Sequence, residues 1–246
     1  MNYGIQLKNV SFSYDSKTPQ LKNVSFEIKK GTIFGVSGVN GSGKTTFGLL
    51  LNGLIPHEIE GKLSGDVLID GINTKKKPVS YFAGKVGMLF QNPDFMLFNL
   101  TVFDEVAFGL KKQTDLAEKV NKALDMVGLK DFAKRDPQTL SLGEKQKVCL
   151  ASVLARDTEY ILLDEPVAML DYKGAVNLYE LLRKLNKDYG KTIVVIEHDT
   201  DFLLKYAKQV IILDHGSIAL KGSATSVFSR KVELKKLGIK IPQPIL

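Results

Sequence analysis

Cysteine and long apolar runs are the scarce features of this sequence. Cys149 is the single cysteine among 246 residues, so no disulfide can form within the chain, and the apolar run VCLASVLA around it is typical of the core. No run approaches the roughly 18 apolar residues that span a bilayer, and the first residues, MNYGIQLKNV, lack the apolar stretch of a signal peptide. We therefore expect a cytoplasmic chain without a membrane span.

The charge of the chain is positive but not concentrated. Lysine supplies most of the formal net charge of +7, and the lysines are scattered instead of being grouped with aromatic residues. This distribution favours a solvated basic surface over a nucleic-acid site, and it leaves attraction to anionic lipid head groups open. With 44% hydrophobic residues and no internal repeat, we expect a globular protein with a sizeable core.

The N-terminal part has the pattern of strands followed by one helix. IQLKNVSFSY and LKNVSFEI alternate apolar and polar residues on either side of the turn DSKTPQ, which predicts an antiparallel pair. IFGVS predicts a buried strand, and a glycine-rich loop and the helical segment TTFGLLLNGL follow it. GDVLIDG and KVGMLF are further strand candidates.

The rest of the chain predicts a helical insertion and then a parallel sheet. TVFDEVAFGLKK and DLAEKVNKALDMVG have helical period and indicate an inserted subdomain, at 92–128 or to about 155 if the next segment is included. YILLD and TIVVIEHD, with a long helix between them, predict a βαβ unit, and VIILDHGSIAL predicts a hairpin. We divide the chain into a domain at 1–230 and a tail at 231–246 with a short helix and an extended end.

The segment 38–45, GVNGSGKT, matches the P-loop pattern, with a strand before it and a helix after it. Its glycines let successive backbone N–H groups turn towards a phosphate. Lys44 can reach the outer phosphates, and the Thr45 hydroxyl can ligate Mg²⁺. The segment therefore predicts a nucleotide site.

Polar residues at the ends of three predicted strands suggest a reaction with water. Asp164 ends the apolar strand YILLD, where it can hold Mg²⁺ through water, and Glu165 can act as the general base for a water that attacks the γ-phosphate. Gln91 and His198 follow KVGMLF and TIVVIE. Ligands bind at the carboxyl ends of parallel strands, so Gln91 could touch the metal or the water and His198 the γ-phosphate.

The segment LSLGE at 140–144 has two interpretations. Ser141 and Glu144 stand three residues apart, which is the spacing of a reciprocal capping pair at a helix N-terminus. The free N–H groups of such a terminus also form an anion site. The two interpretations are compatible.

The segments GVNGSGKTT, FQNPD, LSLGEKQKV, YILLDEP, AMLD and VIEHD follow one another along the chain. In identity and order they resemble the ATPase domain of ABC transporters. FQNPD and GIKIPQPIL are most similar to the ATPase subunits of energy-coupling-factor transporters, which import vitamins and metal ions in prokaryotes. The resemblance implies an α/β fold of the P-loop NTPase type, with a RecA-like core, an N-terminal antiparallel β subdomain and the inserted helical subdomain.

The resemblance also implies a head-to-tail dimer, in which ATP lies between one subunit's P-loop and the other's signature helix. Tyr14 would stack on adenine. Ser141 and the amide of Gly143, in the signature, would face the partner's γ-phosphate. The phosphates would be held by the P-loop residues Gly38, Asn40, Gly41, Ser42, Gly43, Lys44, Thr45 and Thr46.

The remaining roles implied by the resemblance concern the metal and the water. Thr45 and Gln91 would contact Mg²⁺, and Asp164 would support it. Glu165 would activate water and His198 would hold the γ-phosphate. The partners would be a second ABC ATPase and integral membrane subunits, which would place this chain peripherally at the cytoplasmic face of the membrane. Phe95, Met96, Leu97 and Phe98 would line the groove for the membrane subunits or pack in the core.

Two segments depart from the family pattern. Leu142 stands where the family usually has the first glycine of LSGGQ, which removes backbone freedom and adds bulk, and Glu144 replaces the glutamine. Ala168 and Met169 occupy the usual serine and glycine of SGLD. Both departures act across the dimer, so our hypothesis is a heterodimer with a second ATPase. In a symmetric homodimer they would only adjust packing.

Other classes of protein share part of this pattern. Repair ATPases usually carry a long coiled coil between the P-loop and the signature, and the interval 44–141 has no sustained heptads. An iron–sulfur assembly ATPase and a conventional ABC importer remain alternatives. A small-molecule kinase is disfavoured because Glu165 and His198 suit water as the acceptor.

Overall fold

The computed structural model describes residues 4–15, 18–110 and 115–243. Within these ranges, ten strands form two sheets. In chain order they are β1 Ile5–Ser13, β2 Leu21–Ile28, β3 Ile33–Gly38, β4 Lys62–Ile69, β5 Ile72–Asn73, β6 Val86–Leu89, β7 Tyr160–Asp164, β8 Thr192–Ile196, β9 Gln209–Asp214 and β10 Ser217–Ser223.

Helices connect the strands and cover the larger sheet. They are α1 Lys44–Leu51, the irregular turn α2 Leu54–His57, α3 Val79–Ala83, α4 Val102–Ala107, α5 Leu116–Met126, α6 Leu142–Ala155, α7 Tyr172–Tyr189, α8 Thr200–Tyr206, α9 Ala224–Phe228 and α10 Lys231–Lys236. Within the described ranges, none of them combines the length and the apolar character needed to cross a bilayer.

The larger sheet has the order β10-β9-β3-β8-β7-β6. Every neighbouring pair is parallel except β9 and β10, which form a hairpin. The predicted βαβ unit of β7, α7 and β8 and the predicted hairpin are confirmed. The central strands β3 and β8 are buried along their whole length, as expected for parallel strands covered on both faces. Their carboxyl ends therefore meet at one edge of the sheet.

The smaller sheet has the order β2-β1-β4-β5 and is antiparallel. The predicted pairing of the first two strands is confirmed, and the strand predicted in GDVLIDG joins them as β4. Side chains of this sheet form a common core with α1 and one face of the larger sheet, including Phe12, Phe34, Phe47 and Leu162. This shared core fixes the P-loop helix between the two sheets.

The helical insertion packs α4 and α5 against α6, around a core that includes Val106, Leu124 and Val148. The helix predicted in TVFDEVAFGLKK is shorter than expected. It ends at Ala107, and Gly109 follows shortly after, where glycine disfavours a helix because it loses the most backbone freedom. The lysines at the end of that predicted segment lie in 111–114, outside the described residues.

The segment after residue 230 has the predicted short helix and extended end as far as residue 243. Helix α10 buries Leu234, and Ile239 beyond it is 8% exposed. Both side chains belong to the same hydrophobic cluster as the larger sheet. The segment therefore packs onto the rest of the domain, while its treatment as a separate unit stays a prediction.

Candidate nucleotide-binding site

The P-loop joins β3 to α1 in a conformation that its glycines make possible. Gly43 caps α1 with φ at 103°, a left-handed value that side chains with a Cβ rarely adopt. A Cβ atom at Gly43 would also lie 2.6 Å from the Gln20 carbonyl oxygen, and one at Gly38 would lie 2.4 Å from that of Leu213. The loop therefore has no room for a side chain at Gly38 or Gly43, and its backbone forms a tight cradle.

Lys44 lies at the centre of this cradle. Its side chain is buried, and the Nζ atom donates to the carbonyl oxygens of Gly38 at 2.9 Å and Val39 at 3.1 Å. Burial lowers the pKa of Lys44, and the nearby carboxylates of Glu165, Asp164 and, more weakly, Glu197 oppose this shift. Two of these carboxylates, Asp164 and Glu165, are predicted to act on the same substrate as the ammonium group.

The loop has the donors that a phosphate needs. Gly43 provides no side-chain cap for α1, so this helix N-terminus offers its first N–H groups to an anion. The Ser42 hydroxyl is buried and has no hydrogen-bond partner within the described residues. Asn40, Gly41 and Thr45 are exposed along the same turn, while Thr46 is 5% exposed. The predicted phosphate-binding residues thus lie together.

Asp164 and Glu165 follow one another at the end of β7. Burial raises the pKa of Asp164 to about 6, with a further contribution from Glu165 and an opposing one from Lys44. Glu165 has φ at 49°, which is uncommon for a residue with a side chain, and its N–H donates to the Ile196 carbonyl at 2.9 Å. Such local strain is often found at functional sites.

His198 meets Glu165 at this edge of the sheet. The distance from His198 Nε2 to Glu165 Oε1 is 2.8 Å. The structure therefore brings together the residue predicted to activate water and the one predicted to hold the γ-phosphate. Both side chains are partly accessible, at 41% for His198 and 24% for Glu165, so a substrate can reach them.

The residue before His198 was missed by the sequence analysis. Glu197 is 3% exposed, and its Oε1 atom accepts from the N–H groups of His198 at 2.7 Å and Asp199 at 3.1 Å. Burial raises the pKa of Glu197 to about 7. A glutamate directly after four apolar strand residues was a signal that could have been used, because glutamate is almost never fully buried unless it is paired.

The residues predicted to hold Mg²⁺ suit that ion by their chemistry. Thr45 is exposed in the first turn of α1, Gln91 is exposed two residues after β6, and Asp164 ends β7. Hydroxyl, amide and carboxylate oxygens are the hard ligands that Mg²⁺ prefers, and this ion usually keeps several waters or phosphate oxygens. The described residues contain no group of three or more His, Cys, Asp or Glu that could hold a metal ion by itself.

Tyr14 lies beside the P-loop helix. Its hydroxyl is 3.0 Å from Thr46 Oγ1, and its ring packs edge-on against Phe12 with the centroids 4.9 Å apart. The side chain is 47% exposed. An accessible aromatic ring next to the phosphate cradle is available for stacking on a base, and this assignment stays a prediction.

The signature segment has the predicted capping box at the start of α6. Glu144 Oε2 accepts from the Ser141 N–H at 2.8 Å and from the Ser141 hydroxyl at 2.7 Å, and the Glu144 N–H donates back to Ser141 Oγ at 3.4 Å. The Ser141 side chain and backbone lower the pKa of Glu144. Leu142 is the first residue of α6, a position open to any residue, so the lost glycine costs no backbone strain and only the added bulk remains.

Two contacts connect α6 to the rest of the site, and neither was predicted. Lys145 Nζ forms an ion pair with Asp94 Oδ1 at 2.7 Å, which joins α6 to the segment after Gln91. Gln146 is buried, and its Nε2 atom donates to the Pro166 carbonyl at 2.6 Å, just after Glu165. Helix α6 is therefore linked both to the Gln91 segment and to the residue after Glu165 in its own chain.

The second departing segment faces outward. Ala168 is exposed, Met169 is 48% exposed and Tyr172 is 64% exposed. A Cβ atom at Gly143 would have only Leu170 Cδ2 as a neighbour, at 3.9 Å, so there is open space in front of the signature. These residues are not brought to the P-loop of their own chain by any contact that the structure records.

An exposed aromatic patch lies beside the Gln91 segment. It consists of Phe95, Phe98, Leu100 and Phe108, which are between 62% and 86% exposed. The predicted groove residues thus divide: Phe95 and Phe98 are on the surface, whereas Leu97 is buried and Met96 packs against the core.

A buried carboxylate holds this patch in place. Glu105 is 4% exposed, and its Oε2 atom accepts from the N–H groups of Phe98 at 2.9 Å and Asn99 at 2.8 Å. The ring of Phe98 packs edge-on against Phe108 at 4.8 Å. The surface aromatics are therefore fixed by a specific interaction.

The profile of the ABC transporter family matches residues 21–168, which is more than half of the chain. The chain belongs to the ABC transporter ATPase family. This ABC ATPase is 42% identical over 243 residues to a Pyrococcus abyssi protein that is provisionally named as an ABC transporter ATP-binding protein. The alignment covers 97% of this chain and 87% of the relative. The predicted ABC fold and the predicted ATP-hydrolysing activity are thereby confirmed.

Solved structures give the same result. The cbiO1 protein of Clostridium perfringens, part of the ABC transporter complex cbiONQ, superposes with a TM-score of 0.86 and 30% identity, covering 97% of this chain and 95% of its own. The dimeric cassette MJ0796, in a post-hydrolysis state bound to ADP and Pi, superposes with a TM-score of 0.76 and 29% identity, covering 89% and 98%.

Proposed function

We propose that this ABC ATPase powers an importer of the energy-coupling-factor type, which carries a vitamin or a metal ion. The observation that carries the proposal is the likeness to cbiO1, which extends over 97% of this chain and 95% of that one. It therefore includes the segment beyond residue 168, where the family profile ends. The resemblance of FQNPD and GIKIPQPIL to this subtype supports the same assignment.

The chemistry at the proposed site is an in-line attack of water on the γ-phosphate. Bound Mg²⁺ would neutralise charge on the outer phosphates, held by Thr45, Gln91 and Asp164. At neutral pH Asp164 is mostly ionised, because its pKa of about 6 lies below 7. Lys44 would exchange its bonds to the loop carbonyls for the phosphates.

Glu165 and His198 would divide the remaining tasks. Glu165 would accept a proton from the attacking water, and His198 would donate a hydrogen bond to a γ-phosphate oxygen. Their mutual contact at 2.8 Å fits this division, since both must reach the same oxygen-rich centre. When the γ-phosphate and the attacking water bind between the two side chains, the direct contact between His198 and Glu165 would be lost.

The second half of the site would come from a partner ATPase. Ser141 and Gly143 would approach the γ-phosphate bound to the partner's P-loop, as the open space before Gly143 permits. Leu142 and the exposed Met169 would select a partner with a complementary surface. The dimeric form of MJ0796 supports a dimer of cassettes, and the departures in these segments favour two different ones.

The aromatic patch would receive the membrane subunit. Exposed apolar side chains of this number mark an interaction site, and Glu105 keeps the segment carrying Phe98 in one conformation. Through Asp94 and Lys145 the same segment is joined to α6. A movement of α6 at the nucleotide site would thus be transmitted to the membrane subunit through the Asp94–Lys145 ion pair and the segment that Glu105 holds.

The experiment is co-purification of the full chain with the membrane proteins encoded beside its gene. We expect the wild type to be retained and the double variant Phe95→Ser/Phe98→Ser to be lost at least tenfold, with ATP binding unchanged. The control Tyr189→Ser removes an aromatic side chain that is 43% exposed and lies outside the patch. Capture of soluble iron–sulfur assembly proteins instead of membrane proteins would contradict the proposal.

A further inference from the structure

The extended segment 238–243, which we call the strap, binds the loop that carries His198. Lys240 Nζ forms an ion pair with Asp201 Oδ2 at 2.6 Å and with Asp199 Oδ1 at 3.3 Å. The Lys240 carbonyl accepts from the Thr200 hydroxyl at 2.9 Å, and the Gln243 N–H donates to Asp201 Oδ1 at 2.5 Å. Four interactions thus join the strap to the three residues that follow His198.

The strap is also anchored next to the P-loop. Ile239 is 8% exposed within the main core, and its N–H donates to the Leu234 carbonyl at 2.9 Å. A Cβ atom at Gly238 would lie 3.2 Å from Val39 Cγ1, in the loop that cradles Lys44. A cavity beside these contacts is lined by strap residues, P-loop residues and His198. The strap therefore bridges the two segments predicted to hold the phosphates.

The loop is held from the opposite side as well. Glu197 is buried and accepts the N–H groups of His198 and Asp199 through one carboxylate oxygen. Asp199 also caps α8 by accepting from the Asp201 N–H at 3.0 Å. Contacts from the core and from the strap thus hold the loop on both sides. They restrain the backbone at His198, while its side chain can still change conformation.

Charge gives the strap a second effect. Asp199 and Asp201 place two carboxylates within three residues of the imidazole that would contact a phosphate. Unneutralised, they would repel the triphosphate and favour loop positions away from it. Lys240 lies against both, with 18% and 37% side-chain exposure for Asp201 and Asp199.

We propose that Lys240 is a positioning residue for ATP hydrolysis, which holds and neutralises the loop so that His198 meets the γ-phosphate. This inference rests on the role proposed for His198. Lys240 acts through the residues next to His198, because its Nζ atom is paired with the carboxylates of Asp199 and Asp201. Its loss therefore acts on the rate of the chemical step more than on nucleotide binding, because Lys44 and the P-loop bind the phosphates independently.

The kinetic test uses the full chain with its partner ATPase. Lys240→Ala is expected to lower kcat three- to tenfold with KM for ATP within twofold, and Lys240→Arg to restore most of the rate. The control Arg230→Ala removes a positive charge and a 3.3 Å ion pair from the neighbouring segment without a recorded contact to the loop, and it is expected to match the wild type. In the His198→Ala background, Lys240→Ala should cause no further loss. If Lys240→Ala lowered kcat by the same factor in the His198→Ala background as in the wild type, the proposal would be overturned.

A second measurement does not depend on turnover. Hydrogen–deuterium exchange on the nucleotide-free full chain should be at least threefold faster across 197–201 in Lys240→Ala, and unchanged in Arg230→Ala. Unchanged exchange in Lys240→Ala would overturn the strap's hold on the loop. If His198→Ala kept full turnover while this exchange increased, the role of His198 would fail and the structural part of the inference would stand.

Discussion

Two groups of residues in the proposed site differ in how completely the fold supports them. The inner half consists of the residues around this chain's own P-loop. The outer half consists of the signature segment and the AMLD segment. Lys44 is buried among three carboxylates, and Glu165 and His198 are in contact at 2.8 Å. In the outer half, Met169 is 48% exposed, and the space in front of Gly143 is open. The first half is assembled within one chain, whereas the second half faces outward, as our proposal of a partner ATPase requires.

This difference matches the distribution of unusual residues. Every motif of the inner half keeps the family pattern, while Leu142, Ala168 and Met169 all lie in the outer half. Leu142 costs nothing in backbone strain at the start of α6, so its side chain is free to contribute to an interface. From this comparison we infer that chemistry constrains the residues of the inner half and that the choice of partner constrains the residues of the outer half.

The largest expected effect is on the inner half. Glu165→Gln should lower ATP hydrolysis by about 10²- to 10⁴-fold, the range for loss of a general base, with nucleotide binding retained. The measurement is phosphate release under single-turnover conditions. Glu118→Gln, an exposed change on α5, serves as the matched control and should leave the rate unchanged. A variant of Glu165 with normal turnover would assign the base elsewhere.

Loss of the buried cation should be the next largest effect. Lys44→Ala removes a charge-assisted bond to phosphate worth roughly 1.5–3 kcal/mol, so the Kd for ATP should rise by about 10- to 150-fold. Calorimetry with Mg-ATP measures it, and Lys236→Ala on α10 is the control. Equal affinity in the two variants would show that the cradle binds phosphate without its lysine.

The buried carboxylate behind His198 should make stability depend on pH. The pKa of Glu197 is raised to about 7 from 4.5, so its contribution to stability is full below pH 4.5 and is lost as the pH rises through 7. Glu197→Gln keeps an oxygen acceptor for the His198 and Asp199 amides but does not titrate. Between pH 5 and 8 the free energy of unfolding of the wild type should fall relative to this variant by about 2.5 kcal/mol.

Denaturant titrations of both proteins at the two pH values measure that difference. Asp164 is present in both proteins, so its own titration cancels. Parallel pH profiles would mean that Glu197 keeps an ordinary acidity in the fold.

The smallest effect concerns the outer half. Ser141→Ala removes the N-cap of α6 and should lower the free energy of unfolding by about 1 kcal/mol. Glu144→Gln keeps the spacing of the capping box and should cost less. Thermal unfolding of the isolated chain measures both. If Ser141→Ala lowered the free energy of unfolding by far more than this, the fold would depend on Ser141. The outer half would then be as firmly built into the fold as the inner half.

Much of the inner half follows from the sequence alone. The P-loop, the strand that ends at Asp164 and the strand before His198 are each recognisable within ten residues, because a buried strand has an apolar run and a phosphate loop has its glycines. Parallel pairing then brings their ends to one edge. The capping box at Ser141 was predictable for the same reason, since its two partners are three residues apart.

Contacts between distant segments could not be predicted in this way. Lys145 and Asp94 are separated by 51 positions, and Lys240 and Asp201 by 39. Each pair exists only because the packing of α6 or of the strap brings two surface side chains together, and no periodicity encodes that. The end of α4 was also misjudged, because the helical period of the apolar residues continues past Ala107, whereas Gly109 disfavours the helix.

The central claim is that a different ATPase chain supplies the second half of this chain's nucleotide site, and the mass of purified Glu165→Gln protein in solution tests this most directly. The variant retains nucleotide because hydrolysis is blocked. With and without Mg-ATP, we predict a monomer that binds ATP, and a dimer only after the partner ATPase is added. A clean ATP-dependent doubling of mass by this chain alone would contradict the account, because its own signature would then serve its own P-loop.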